Sequence, residues 1–211
     1  MRNLNIVDAD LQQALLKYAS VKPNEVHPFF LSLCADVVLA AKRRGTTLNA
    51  VDFATIPEIN VKSLELTHRL LRHVDEEIHD AIYALSACRT FDRQLYFMLG
   101  DNLRFNATKA TFRILTRFSF VWQSEPKNRY HIHNLLRRLY NDSDNSTVNE
   151  AHTVLEKYCH ENGDVAEAIY HAICHDWQRG TDEWIKKHNE AQQQGDFELC
   201  RILQEIRKET L

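Results

Sequence analysis

The stretch Thr111–Tyr140, TFRILTRFSFVWQSEPKNRYHIHNLLRRLY, changes its hydrophobic period twice, from helix to strand and back. Phe112 and Leu115 sit on one helical face. Phe118, Phe120 and Trp122 then alternate with Ser119, Val121 and Gln123, which predicts a pleated ribbon carrying its heavier side chains on one face. A turn at Pro126 leads into a return strand, Arg129–Ile132, and helical spacing resumes through Leu135, Leu136, Leu139 and Tyr140. It is the one convincing β signal in the chain.

Working outward, the segments before the ribbon read as helix. Val7, Leu11, Ala14, Leu15 and Tyr18 share a face behind Asp8, and Lys22-Pro23-Asn24 breaks that helix. A second helix starts at Pro28, where the missing N–H costs nothing. It is apolar on more than one side (Phe29, Phe30, Leu33, Cys34, Val37), as a core helix should be, and Gly45 follows its basic end, Lys42-Arg43-Arg44. Ile56-Pro57 closes a short helix and marks a boundary. Further helices are predicted over residues 61–74, over 75–88 with the stripe Ile78, Ile82, Leu85 and Cys88, and from Asp92 to Gly100. A third, capped at Asn106 or Thr108, leads into the ribbon, so that three helices and a hairpin make a winged-helix count.

The polar run 141–149, NDSDNSTVN, is a second boundary. Beyond it, two helical pairs are expected, 148–160 with 164–177 and 182–194 with 197–208. Gly163-Asp164 and Gly195-Asp196 punctuate them 32 residues apart, a period similar to that of tetratricopeptide (TPR) arrays. The last helix is expected to keep an apolar face, Leu199, Ile202, Leu203 and Ile206, open to a following repeat or a partner. The fold class predicted is all-α with one small β-hairpin: a helical subdomain over 1–57, a winged helix over 61–141 and TPR-like helices over 148–211.

Charge is unevenly distributed. Residues 104–140 hold eight Lys or Arg against Glu125 alone, while 141–211 hold seven against fifteen acids. Five scattered cysteines without CxxC spacing argue against a disulfide framework and, with no signal peptide and no membrane-length apolar run, predict a cytoplasmic protein without a membrane partner. The glycines never form GxxxxGK[ST], so nucleotide hydrolysis by a P-loop is not expected of this chain, and no GxSxG accompanies a nucleophile. His171 and His175, one helical turn apart, have zinc-ligand spacing with Cys159 and His160 as conceivable neighbours; solvated or core histidines are the expected reading, with no metal.

Val26-His27-Pro28-Phe29-Phe30-Leu31 and Ile132-His133-Asn134-Leu135-Leu136-Arg137 resemble two motifs of the STAND switch ATPases, the NB-ARC group included: the Gly-x-Pro helix start and Met-His-Asp-Leu-Leu-Arg. Val26 stands where that family usually has glycine, and Asn134 where it has aspartate. The module order is also similar, except for the P-loop domain. The resemblance implies that Pro28 packs near an adenine and that His133 contacts the β-phosphate of ADP, provided a P-loop domain is present in the parent chain or in trans. It implies a non-catalytic regulatory and protein-interaction module, with other proteins met through the helical repeats. Apart from the family, a histidine at a strand-to-helix junction lies beside free N–H groups that favour an anion; the alternative is that His133 caps the helix or fills the core. A second functional expectation is a DNA-binding regulator, with Lys109, Arg113 and Arg117 along one helix face and Lys127 and Arg129 on the wing.

Overall fold

A computed structural model describes residues 6, 8–23, 25–125, 128–141 and 146–210. The chain is about 70% helical, with eleven α-helices among the described residues. Helix α1 (Ala9–Ala19) is capped by the Asp8 carboxylate, which accepts from the Asp10 and Leu11 N–H groups. A short antiparallel pair, β1 (Ser20–Lys22) with β2 (Glu25–Val26), reverses the chain into α2 (Pro28–Arg43). Periodicity gave no hint of that pair, since pairing this short is produced by the reversal rather than by patterned side chains. Helix α2 is buried on several sides, and a 3₁₀ turn (Ala50–Phe53) then leads to α3 (Ile59–Leu71) and α4 (Glu76–Ser86).

Helix α5 (Arg93–Leu103) starts on the Asp92 cap and runs through Gly100 instead of ending there. A Cβ on Gly100 would come within 2.3 Å of the Ala107 Cβ, so this glycine serves a close approach, and Arg104 ends the helix in the left-handed conformation at φ 61°. Helix α6 (Lys109–Leu115) follows, capped at Thr108.

The ribbon is shorter than its alternation suggests. Strand β3 (Val121–Ser124) pairs with β4 (Arg129–Ile132), Val121 opposite Ile132. Phe118 and Phe120 precede β3 in the turns that close α6, where the Phe118 N–H donates to the Leu115 carbonyl and the Val121 N–H to that of Phe118. Both are buried with their rings stacked at 5.2 Å, whereas Trp122 is 43% exposed. The expected single heavy face is therefore split, because turn geometry and not pleating orients the two phenylalanines. Phe91 adds a third extended piece by exchanging two backbone hydrogen bonds with Tyr130, at 2.9 and 2.7 Å. On α2, Asp36 accepts from both the N–H and the hydroxyl of Ser119 at 2.7 Å and so ties that helix to the hairpin.

After α7 (Asn134–Asn141) come α8 (Ser146–Glu161), α9 (Val165–His175), α10 (Trp177–Gln194) and α11 (Phe197–Thr210). The two Gly-Asp turns are alike in hydrogen bonding. Gly163 and Gly195 have φ of 75° and 70°, their N–H groups donate to His160 and Gln192, and the following aspartate N–H groups donate to Cys159 and Ala191. Each aspartate then caps the next helix, through the Glu167 and Leu199 N–H groups. Helix α10 begins at Trp177, five residues before Asp182, because Asp176 supplies its cap by accepting from the Arg179 N–H.

One apolar core runs from Leu11 on α1 to Leu155 on α8, across residues 57–61 and 141–148. A smaller one joins Ile169, Tyr170 and Ile173 to Trp184, Leu203 and Ile206. The face of α11 expected to stay open is spent here: Leu203 and Ile206 are fully buried, and Leu199 and Ile202 pack against the same cluster. No described helix is long and apolar enough to cross a membrane.

The corner between α9 and α10 depends on Gly180, whose added Cβ would meet the Ile173 nitrogen at 2.3 Å and the Ala172 carbonyl carbon at 2.6 Å. Backbone cannot swing aside as a side chain can, so Gly180→Ala is expected to destabilise the chain by about 2–3 kcal/mol. Urea unfolding of the two forms measures this, and a loss below about 0.5 kcal/mol would mean that the corner opens freely.

Candidate functional site

Two helix starts, those of α2 and α7, meet. The ring of Phe29 stacks on that of His133 with centroids 3.8 Å apart and planes at 19°. His27, just before α2, lies against Phe30 at 4.7 Å, and Trp122 approaches His133 edge-on at 5.8 Å. His133 is held from both sides by its backbone: its N–H donates to the Phe120 carbonyl at 2.8 Å, while its own carbonyl accepts from Leu136 and Arg137. The hairpin and α7 thus share this residue as their joint. Burial, and then the neighbouring His27, pull the His133 pKa below the usual histidine value. The imidazole is therefore neutral at pH 7 and offers one N–H donor. Pro28 is exposed in the first turn of α2.

The five basic positions behave differently from one another. Lys109 and Arg113 are exposed on α6, but that helix ends at Leu115, so Arg117 lies in the turn beyond it. The three are not on one helix as expected, because Phe118 must turn inward to reach the core. Arg129 is exposed on β4, and Lys127 lies outside the described residues.

His171 and His175 do not converge. His171 faces His152 inside the protein, with their Nδ1 atoms 2.9 Å apart, whereas His175 pairs with Glu156. Glu156, His160 and Glu183 place possible ligand atoms within 4.8 Å of one another. Arg179 already donates to Glu156 at 2.8 and 2.7 Å and to Glu183 at 2.8 Å, so a cation would have to displace a guanidinium. Burial pushes the Cys159 thiol up to about 12, away from the thiolate that metals prefer.

A cleft of about 520 Å³ opens between the segment 88–95, the hairpin and helices α8 and α9. Arg89 crosses one wall, donating to Glu167 at 2.6 Å and to Glu209 at 3.1 and 3.2 Å, with the Tyr170 ring 5.7 Å from its guanidinium. The His131 Nδ1 lies 3.0 Å from the Arg89 carbonyl, fixing β4 to the same wall. Arg137 enters from α7 and donates to the Tyr170 hydroxyl at 2.7 Å. Sequence patterning missed Arg89, which lies in the bend between α4 and α5, and His152; His171 was expected to be a core or solvated histidine, and Arg137 entered only as the end of the Ile132–Arg137 motif. Compared with protein-family models, curated proteins and solved structures, the chain finds no match.

Proposed function

We propose that this chain is the non-catalytic regulatory and protein-interaction part of a STAND-type nucleotide switch, acting with a P-loop domain supplied in the parent chain or in trans. The observation that supports it is the stacking of Phe29 on His133. These residues are 104 positions apart in sequence, and each belongs to a segment that resembles a family motif lining the nucleotide. The order α4, Phe91, α5, α6, β3, β4, with Phe91 bridged to Tyr130, fits a winged helix, and the two equivalent Gly-Asp turns fit TPR-like pairs. In this reading the neutral His133 donates its N–H to a β-phosphate oxygen of ADP, and Pro28 lies by the adenine. Helices α8 to α11 meet other proteins.

Such a bond to a charged phosphate is worth roughly 1.5–3 kcal/mol, or about ten- to a hundredfold in affinity. In a protein that joins this chain to a P-loop domain, His133→Ala is expected to speed ADP release by that factor. This chain alone is expected to bind neither ADP nor ATP measurably, because the phosphate-cradling loop and lysine belong to the other domain. Equal release rates, or tight ADP binding by this chain alone, would overturn the reading. The DNA-binding alternative retains only Lys109 and Arg113 on α6, enough to replace about two counterions, and any duplex affinity should vanish at moderate salt.

A further inference from the structure

The cleft beside α7 contains a cation whose contacts are aromatic and hydroxylic, the Arg137 guanidinium lying 5.9 Å from the Tyr170 ring centroid. The acids on its walls are all engaged elsewhere, since Asp92 and Asp164 cap α5 and α9 while Glu167 and Glu209 hold Arg89. Among the described residues Arg137 has no carboxylate partner; its one hydrogen bond goes to Tyr170, and its Nε is buried without an acceptor. A guanidinium is a fork built for a planar oxyanion, and an orphaned buried donor is costly. Arg129 lines the same cleft and, among the described residues, likewise has no ion-pair partner. The walls also include Phe91 and Leu95, and at the rim stands Trp122, its ring stacked on His131 at 5.5 Å.

We propose that this cleft is a binding site for a small carboxylate with a flat apolar body, its carboxylate on Arg137 and its body against Trp122. The four acids around the cleft disfavour a phosphate dianion relative to a monoanion. The volume of about 520 Å³ suits an aromatic acid. This site borders His133 through Trp122, whose ring approaches it at 5.8 Å, but requires no nucleotide.

Isothermal titration of the chain with sodium benzoate, at constant ionic strength and pH 7.5, tests it. Saturable binding is expected at roughly low-millimolar dissociation constant, as befits nine non-hydrogen atoms. Benzamide, which has the shape without the charge, and inorganic phosphate should each bind about tenfold more weakly or not at all. Arg137→Lys keeps the charge but loses the fork, and with Arg137→Gln it should weaken benzoate by about ten- to a hundredfold while circular dichroism stays unchanged. Trp122→Ala, at a position 43% exposed, should also weaken it while circular dichroism stays unchanged. Absence of benzoate binding, equal binding of benzamide or phosphate, or binding indifferent to Trp122→Ala and to whichever Arg137 variant folds would each overturn the proposal.

Discussion

Between pH 7 and pH 5 the unfolding free energy of this chain is expected to fall by about 4 kcal/mol on account of two histidines alone. His152 and His171 are 1% and 2% exposed, and their Nδ1 atoms share one hydrogen bond, which requires one ring to donate and the other to accept. Protonating both would set two donors face to face. Burial is the main cause that holds each well below the usual histidine value; His175 and Arg137 add to it for His152, as do His152, Arg137 and Arg89 for His171. The sign follows from proton counting. In the unfolded chain both rings take up protons as the pH falls through about 6.5, while in the folded chain they stay neutral, so the unfolded state binds more protons and gains stability. The loss reaches about 1.4 kcal/mol per pH unit for each ring and levels off only below the depressed folded values. Urea unfolding at pH 7, 6 and 5 measures it, and His152→Asn, which offers an amide in place of Nδ1 but does not titrate, should roughly halve the pH-dependent part. An identical pH dependence in that variant would assign the effect to other groups.

Replacing Arg89 by methionine is expected to cost about 3 kcal/mol, more than an exposed ion pair could account for. Its side chain is 19% exposed and stands between Glu167 on α9 and Glu209 on α11, with the Tyr170 ring beside it. It therefore ties the segment before α5 to two of the three helices of the smaller core, α9 and α11. Burial pushes the Glu167 carboxyl up despite the opposing pull of Arg89. Without the guanidinium, Glu167 must either stay charged and unpaired or take up a proton, and each costs stability. Glu167→Gln added to Arg89→Met should therefore recover about 1–2 kcal/mol, a coupling that a double-mutant cycle reads directly. A loss below about 1 kcal/mol for Arg89→Met would make the pair a solvent-screened surface contact.

The helices were legible because their cause is local. Asp8, Asp92, Thr108, Asp164 and Asp196 cap where a short polar side chain precedes an apolar stripe, and the left-handed Gly45, Gly163 and Gly195 end helices where no Cβ obstructs that turn. Near neighbours set these features, so the all-α class with a small hairpin could be read before any contact was known. Periodicity misled where a residue answers to something distant. Gly100 looked like a helix end and is a contact with Ala107, and Phe118 looked like strand and is a turn residue drawn into the core.

The candidate sites divide along the same line. Pro28 and His133 could be named from their own segments, but that Phe29 stacks on His133 depends on the packing of α2 against the hairpin and α7. The partners of Arg89 lie 78 and 120 residues away, the histidine pair spans 19, and nothing in the sequence near Arg137 reveals that its Nε is buried without an acceptor among the described residues. By itself, then, the sequence determined the helices, their caps and the position of the ribbon, because those follow from hydrogen bonds and periodicity within a few residues. Which charges are buried, which are paired and which are left facing a cleft was decided only by the tertiary structure, since the cost of a charge depends on what surrounds it and not on what adjoins it in the chain.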